Sequence, residues 1–488
     1  MEWNYKLIHN NLWDVGVKDD KFALIAKLDE NAEVVVKTPC GVTDQFNLKR
    51  LVMQGSVFGP IKCSVQMDTL GRDCLANGDG IYKYKDTLET PALAMIDDII
   101  GVSKCNDESV ELNSIINVKI ESKKLRLSET KCVKLHVSRK PKVCSTIIRA
   151  HEKEISAVKT TTYLGDVLSE DGSVDATIES RRNKSIGIIS QISSVLTSIS
   201  LGFFFFDIAL TLRESMFVNG ILTNSDIWYN FTKEHIKVLE SQDIQLMRKI
   251  LNAHSKTASE LFFIETAKLP LRFVISKRRL MYLWHILTRT ENELIKKVYA
   301  LQKVMFTKGD WYGMIQQEKI RYDINLTDEE ISKMSKYRFK SLDEKKVKSV
   351  AFEYLKEKAS KHSKSKNILE ESKSIKTWRI KSYLKENIFT KVEQQLLFQL
   401  KSKMLDVKTN FRKLYDPDLI CRTCKNPDSQ EDEDHLLKCE SLVSEVDQDD
   451  QTVEFNFVYK DIGHQKQAVK VFKSVLRKRE ILLKYEKS

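Results

Sequence analysis

The sequence predicts an α+β protein, mixed in its first third and helical through most of the rest, with a small metal-bound module near its end. Three observations predict this. Short apolar runs bounded by polar turns dominate the first 170 residues. From about residue 175, isoleucines recur at helical spacing. Finally, three of nine cysteines gather beside a histidine between residues 421 and 439.

The 488 residues suffice for two to four domains. Lys and Arg number 80 against 68 Asp and Glu, a net charge of +12 that favours polyanionic partners, nucleic acid first among them. A generally lysine-rich soluble surface is the plainer reading. The first residues have no continuous apolar stretch of the kind that directs secretion. The most apolar run, ISLGFFFFDIAL (199–210), has 12 residues and is broken by Asp207, so it reads as a core helix and no membrane partner is expected. Six cysteines (Cys40, Cys63, Cys74, Cys105, Cys132 and Cys144) are scattered, and an odd, irregular set indicates a reducing intracellular compartment, nucleus or cytoplasm.

Along the chain, KFALIAKL and AEVVVKT read as a hairpin turning at Asp29, Glu30 and Asn31. Residues 58–75 read as a helix with Pro60 in its first turn. In the next part, Ile178, Ile186, Ile189, Ile192, Val195, Leu196 and Ile199 mark a helix with Arg181, Arg182 and Lys184 among them. Helices follow at 235–253 and 272–287. Residues 331–380 carry 15 Lys and Arg against 6 Asp and Glu and read as exposed helices and a linker, touching a phosphate backbone or simply solvated. There is no internal repeat.

Two aspartates, Asp97 and Asp98, interrupt the apolar run PALAMIDDIIG (91–101). Burying such a pair costs several kcal/mol, a cost avoided if two short strands meet there in an exposed turn or if a cation neutralises it. Paired carboxylates of this kind hold Mg²⁺ through hard oxygen ligands and serve two-metal phosphoryl transfer.

Around them stand MQGSVFGPIKCSVQMDTLG (53–71), LRLSETKC (125–132) and YLGDVLSEDGS (163–173). In order and spacing these segments resemble the palm of a reverse transcriptase of the non-LTR (LINE-like) retrotransposon type: MQGSVFGP its block B, AMIDDI block C, LRLSETK block D and TYLGDVLSEDG block E. The resemblance implies a partial palm over 1–174 (an antiparallel sheet plus helices), a helical thumb over 175–300, a basic helical connector over 301–410, a zinc knuckle over 411–445 and a tail over 446–488. It implies RNA-directed DNA polymerase activity on an RNA template and DNA primer, using dNTPs and Mg²⁺ or Mn²⁺.

Residue by residue, the resemblance makes Asp97 and Asp98 metal-binding catalytic carboxylates. Gln54 and Gly55 would pass close to template and nucleotide, Pro60 would start the palm helix, and Lys131 would serve the leaving pyrophosphate. Tyr163, Leu164 and Gly165 would form the primer grip. A turn glycine, an exposed lysine and a core tyrosine are the ordinary readings of these positions. The family takes a third carboxylate from block A, a strand preceding the segment that resembles NNLWDVGVKDD (10–20), and Asp14, Asp19 and Asp20 fall after that strand. The expectation is therefore a truncated enzyme, without fingers or block A, of little or no polymerase activity; the alternative is a non-catalytic nucleic-acid-binding protein.

CRTCKNPDSQEDEDHLLKC (421–439) spaces Cys421, Cys424, His435 and Cys439 as C-x₂-C-x₁₀-H-x₃-C. Two cysteines in a tight turn and a His/Cys pair one helical turn apart can close a tetrahedron on Zn²⁺, and four such ligands leave no open position, so the site is structural. Unpaired cysteines in an acidic loop are the bland alternative. The acidic spacer Glu431–Asp434 turns that loop away from phosphate and leaves Arg422 and Lys425 to face it.

Overall fold

The computed structural model describes residues 5–30, 33–47, 58–76, 82–84, 88–90, 92–96, 98–122, 125–138, 147–198, 202–305, 309–373, 378–385, 388–415, 417–443 and 453–485. The fold is α+β and mostly helical, with strands that pair only in twos among these residues. Two compact units divide the chain: residues 1–163, 167–173 and 290–301 in the first, and 164–166, 174–289 and 302–488 in the second.

In the first unit, the helices Tyr5–Asp14, Gly59–Ala76 and Asn106–Ser122 bring Ile8, Leu12, Cys63, Met67, Leu112, Ile116 and Ile120 into one small core. Pro60 sits in the first turn of its helix, where a missing N–H costs nothing. Gly101 lets the third helix close in, because a Cβ there would meet the Leu112 side chain at 2.9 Å.

The hairpin expected over 21–38 is corrected. Residues Asp19–Glu30 form a helix, with Asp19 and Asp20 favouring its positive N-terminal end and Ala23 and Ala26 favouring helix over strand. Asp29, read as a turn residue, instead accepts from His9 at 2.9 Å and from Lys62. Pairing begins later in the chain, where Glu33–Val34 meets Phe46–Asn47 and Lys37–Thr38 meets Gly41–Val42.

Leu93–Met95 and Asp98–Ile100 form an antiparallel pair, with Met95 opposite Asp98. The two short strands expected at this place are present, but no third strand joins them among the described residues. Their side chains stay largely in solvent, with Leu93 39% and Met95 52% exposed, so the core that these flanks were expected to need is supplied by Ala92, Ile96 and Ile99 instead. Val133–Leu135 and Ser156–Val158 pair in parallel, not in the antiparallel sense.

The second unit has a large core cluster whose members run from Val174 to Val475. The inward face of the helix Asp175–Ser198 reads Ile178, Arg181, Ser185, Ile189, Ile192 and Leu196, a 3–4 alternation, and it packs on the helix Lys233–Leu251. Ile186, expected in the stripe, points to solvent, and the inward position goes to Ser185. Arg181 faces inward too: its guanidinium donates to Asp166 at 2.7 Å and to the Thr223 carbonyl at 3.3 Å. The apolar run near 200 contributes Phe205, Phe206, Ala209 and Leu210 from the helix Phe205–Leu212.

The basic stretch 331–380 is more than a solvated surface. Its long helix, Lys336–Ser360, lies along Leu271–Leu287 and Glu260–Thr266 and buries Phe339, Val347, Ala351, Leu355 and Ala359. The same face buries Asp343, whose two carboxylate oxygens have no hydrogen-bond partner. Burial pushes its carboxyl up to about 7, with Lys277 pulling it down and Glu344 adding to the rise. The folded chain therefore holds this proton more tightly than the unfolded chain does. That contribution is complete below the ordinary carboxyl range and is lost as pH rises through about 7. Asp343→Asn, which mimics the protonated form, is expected to stabilise the chain at pH 8 by roughly 2–4 kcal/mol and by little near pH 4. Denaturant titrations at the two pH values measure this, and an equal effect at both would contradict it.

Among the described residues no helix is long and apolar enough to cross a membrane.

Candidate metal centre

The backbone builds the site from two short turns. Residues 419–431 fold on themselves: Cys421 N–H donates to Ser429 O at 3.0 Å, Glu431 N–H to Leu419 O at 2.9 Å, and Ile420 bridges Gln430. Within that fold, Lys425 takes left-handed backbone (φ 54) and its N–H returns to Cys421 O, which curls Cys421 and Cys424 toward one point. Asp432 then caps the short helix Glu433–Leu436 by accepting the His435 N–H at 2.7 Å. His435 lies on that helix, while Cys439 lies beyond it, just before the turn Glu440–Val443. The expectation that His435 and Cys439 share one helix holds only for the histidine, because the first helix stops at Leu436.

The four side chains converge. Their ligand atoms all lie within 4.8 Å of one another, with Cys421 Sγ 4.0 Å from Cys439 Sγ and Cys424 Sγ 3.4 Å from His435 Nε2. A tetrahedral zinc with Zn–S bonds near 2.3 Å sets its sulfurs about 3.8 Å apart, so the cluster can close on such an ion with small shifts. It is the one set of three or more metal-ligating groups among the described residues.

The surroundings favour thiolate at Cys421. Burial works against ionising Cys421, but the Thr423 hydroxyl, 3.1 Å from its sulfur, and the N–H groups of Cys424 and Thr423 outweigh it and hold the thiol below its usual range. Thr423 also lies 3.4 Å from Cys439 Sγ. Cys424 is pushed up to about 11 by burial and by the neighbouring sulfurs of Cys421 and Cys439, against the pull of the Asn426 N–H. Thiolates so close repel each other, and a divalent cation would offset that repulsion.

The acidic spacer is not a solvent loop. Glu431 is fully buried and accepts from Arg422 and Arg479, and Glu433 accepts from Asn410 at 2.7 Å and Lys403 at 3.2 Å. Arg422, expected to face phosphate, is committed to Glu431 and to Asp406, so that assignment is corrected. Thr423 is legible only as a polar residue within C-x₂-C. Arg479, on the last helix, carries no local signal at all.

The other expected site residues are more dispersed. Gln54, Gly55 and Asp97 lie outside the described residues. Asp98 is exposed at the start of its strand, near Ile96, which closes the turn in left-handed backbone (φ 60), a strained state for a β-branched side chain. Tyr163 ends the strand Thr160–Tyr163, and its phenol is pushed up by burial and by the Asp98 carboxylate, which places the two within electrostatic reach. Leu164 and Gly165, both at positive φ, make the two-residue turn into Asp166–Ser169, where Asn224 donates to the Leu164 carbonyl at 2.9 Å. Lys131 is exposed in a turn, its N–H bonded to Ser128 O, and no ion pair joins it to Asp98. A scan of known protein families finds none that matches this chain, and a search of curated proteins finds no similar sequence.

Proposed function

We propose that this chain is a nucleic-acid-handling polypeptide. More narrowly, it is a non-LTR retrotransposon reverse transcriptase, an RNA-directed DNA polymerase in lineage, with a helical body tied together by structural zinc. The observation that carries the reading is the hairpin that pairs Met95 with Asp98 and leaves the Asp98 side chain exposed, within a sequence of four ordered motifs. The Tyr163 phenol within electrostatic reach of Asp98 supports it, since the resemblance gives these residues to the primer grip and the metal site.

When bound, Mg²⁺ would supply Lewis-acid stabilisation of the transferred phosphoryl group. Asp97 and Asp98 would hold it, and Lys131 would offer a charge or proton to the leaving pyrophosphate. The resemblance assigns two carboxylates of this chain, Asp97 and Asp98, to that metal. The exposed two-stranded pairing favours a second reading, a non-catalytic nucleic-acid binder whose first unit is scaffold.

Extension of oligo(dT) on poly(rA) with Mg²⁺ or Mn²⁺ separates them. Extension abolished by Asp98→Ala, with RNA binding retained, supports the polymerase. Salt-sensitive RNA binding with no extension supports the binder. Neither extension nor binding overturns both.

A further inference from the structure

The end of the helix Lys233–Leu251 carries a basic cluster whose cations form no salt bridge among the described residues. Asn252 closes that helix in left-handed backbone (φ 47) and sends the chain back, so that the His254 ring rests on Phe411 with centroids 4.6 Å apart. The ammonium groups of Lys364 and Lys256 stand 5.1 Å and 5.8 Å from the centre of the same ring. Arg248, one turn back on the helix, lies over Phe262, and Arg412 and Lys413 follow Phe411 in exposed positions.

Several surface lysines elsewhere in this unit are matched, as in Lys333–Glu329, Lys346–Asp323 and Lys473–Glu393. Among the described residues, Arg248, Lys256, Lys364, Arg412 and Lys413 make no ion pair. Lys364 donates to the Asn410 carbonyl and Arg248 to that of Ser255, both neutral acceptors. The nearest carboxylates are engaged: Asp406 with Arg422 at 3.3 Å, and Glu433 with Lys403 and Asn410. The crowding shows in the groups themselves. His254 is held below its usual range by burial and then by Lys256 and Lys364, against the pull of Asp406, and Lys364 by burial and Lys256, against the larger pull of Glu433. His254 Nδ1 accepts the Lys256 N–H at 3.1 Å, so in the neutral ring Nε2 carries the hydrogen and can donate outward.

Unneutralised cations arranged about aromatic rings suit a ligand with anionic phosphates and flat bases. We propose that this cluster binds a single-stranded stretch of nucleic acid, with phosphates on Lys256, Lys364, Arg412 and Lys413 and a base stacked on the His254–Phe411 pair. The assignment rests on the nucleic-acid reading above but not on polymerase activity. The metal centre would set its geometry, because Thr409 N–H bonds to Glu431 O at 3.1 Å and Asn410 to Glu433, fixing the turn that presents Phe411.

The test uses the full chain loaded with zinc, and fluorescence anisotropy with labelled oligouridylate and oligothymidylate of about twenty nucleotides. The triple variant Lys256→Gln, Arg412→Gln, Lys413→Gln should flatten the slope of log K against log salt by about two, since each neutralised phosphate of a single strand adds about 0.7 to that slope. Phe411→Leu should weaken binding roughly tenfold with the salt slope unchanged, and should leave binding of heparin, a polyanion without bases, as it was. Equal effects on oligonucleotide and heparin would overturn the stacking and leave a charged surface alone. Wild-type binding that both variants retain would place the strand elsewhere, with the nucleic-acid reading intact. Absence of binding by the wild-type chain would remove that reading as well. The triple variant alters exposed side chains only, so its melting temperature should match wild type and its result stands even if Phe411→Leu folds poorly.

Discussion

Cys439→Ser, or exhaustive chelation, is expected to destabilise the whole helical unit and not the 411–445 segment alone. Cys421, Leu436, Leu437, Cys439 and Leu442 belong to the same core as Phe398, Leu400, Phe472 and Val475. Glu431 is shared between Arg422, beside the site, and Arg479, on the helix Ile462–Tyr485. Without the cation, three buried or half-buried sulfurs and an imidazole lose the partner that made their convergence favourable. Structural zinc contributes on the order of 10 kcal/mol in isolated fingers, and here at least about 5 kcal/mol should be lost. Metal analysis should show one zinc per chain falling to none, with melting lowered by about 10 °C or more. A zinc-free chain that melts as the loaded one does would defeat the assignment. The isolated 400–460 segment, by contrast, is expected to bind zinc without a cooperative fold, since its leucines would lack the helices they pack against.

How far the sequence could carry these conclusions differs from element to element. The Cys/His cluster was legible because metal-ligand chemistry demands particular residue types at particular spacings, and that demand is local. The long helices were legible because burial imposes a 3.6-residue period on any chain that forms them. The helix Asp19–Glu30 was not, since Phe22, Leu24 and Ala26 alternate as a strand would, and its choice is settled by Lys62 and His9 meeting Asp29. The inward placement of Arg181 was not legible, because it depends on Asp166, on a preceding strand, satisfying the guanidinium. Glu431 and Arg479 lie 48 residues apart, and nothing local distinguishes that glutamate from the three acidic neighbours that follow it. Partnerships made only by tertiary folding leave no periodic trace.

The same kind of partnership sets the second large effect, expected for Asp243→Ala. Asp243 and Arg213 are both fully buried and meet through two parallel bonds, Nε to Oδ1 at 2.7 Å and Nη2 to Oδ2 at 2.5 Å. Arg213 opens the π-helical turn Arg213–Val218, Asp243 lies mid-way along Lys233–Leu251, and the guanidinium also donates to Leu269 O at 3.1 Å. One side chain thus joins three segments of the core. Burial opposes the charge on Arg213, but Asp243 and Glu214 outweigh it and hold the guanidinium firmly protonated. Since arginine cannot shed its proton, removing Asp243 leaves a buried cation with only Glu214 beside it. A loss of about 3–5 kcal/mol follows. Replacing both partners, as Arg213→Met with Asp243→Leu, should recover most of it, because apolar side chains of similar volume avoid the desolvation that the pair must offset. Denaturant unfolding of the two single variants and the double variant closes this cycle. A double variant no more stable than Asp243→Ala would show that the helices need the ionic contact itself, and that the arginine fixes the π-helical turn in a way apolar packing does not replace.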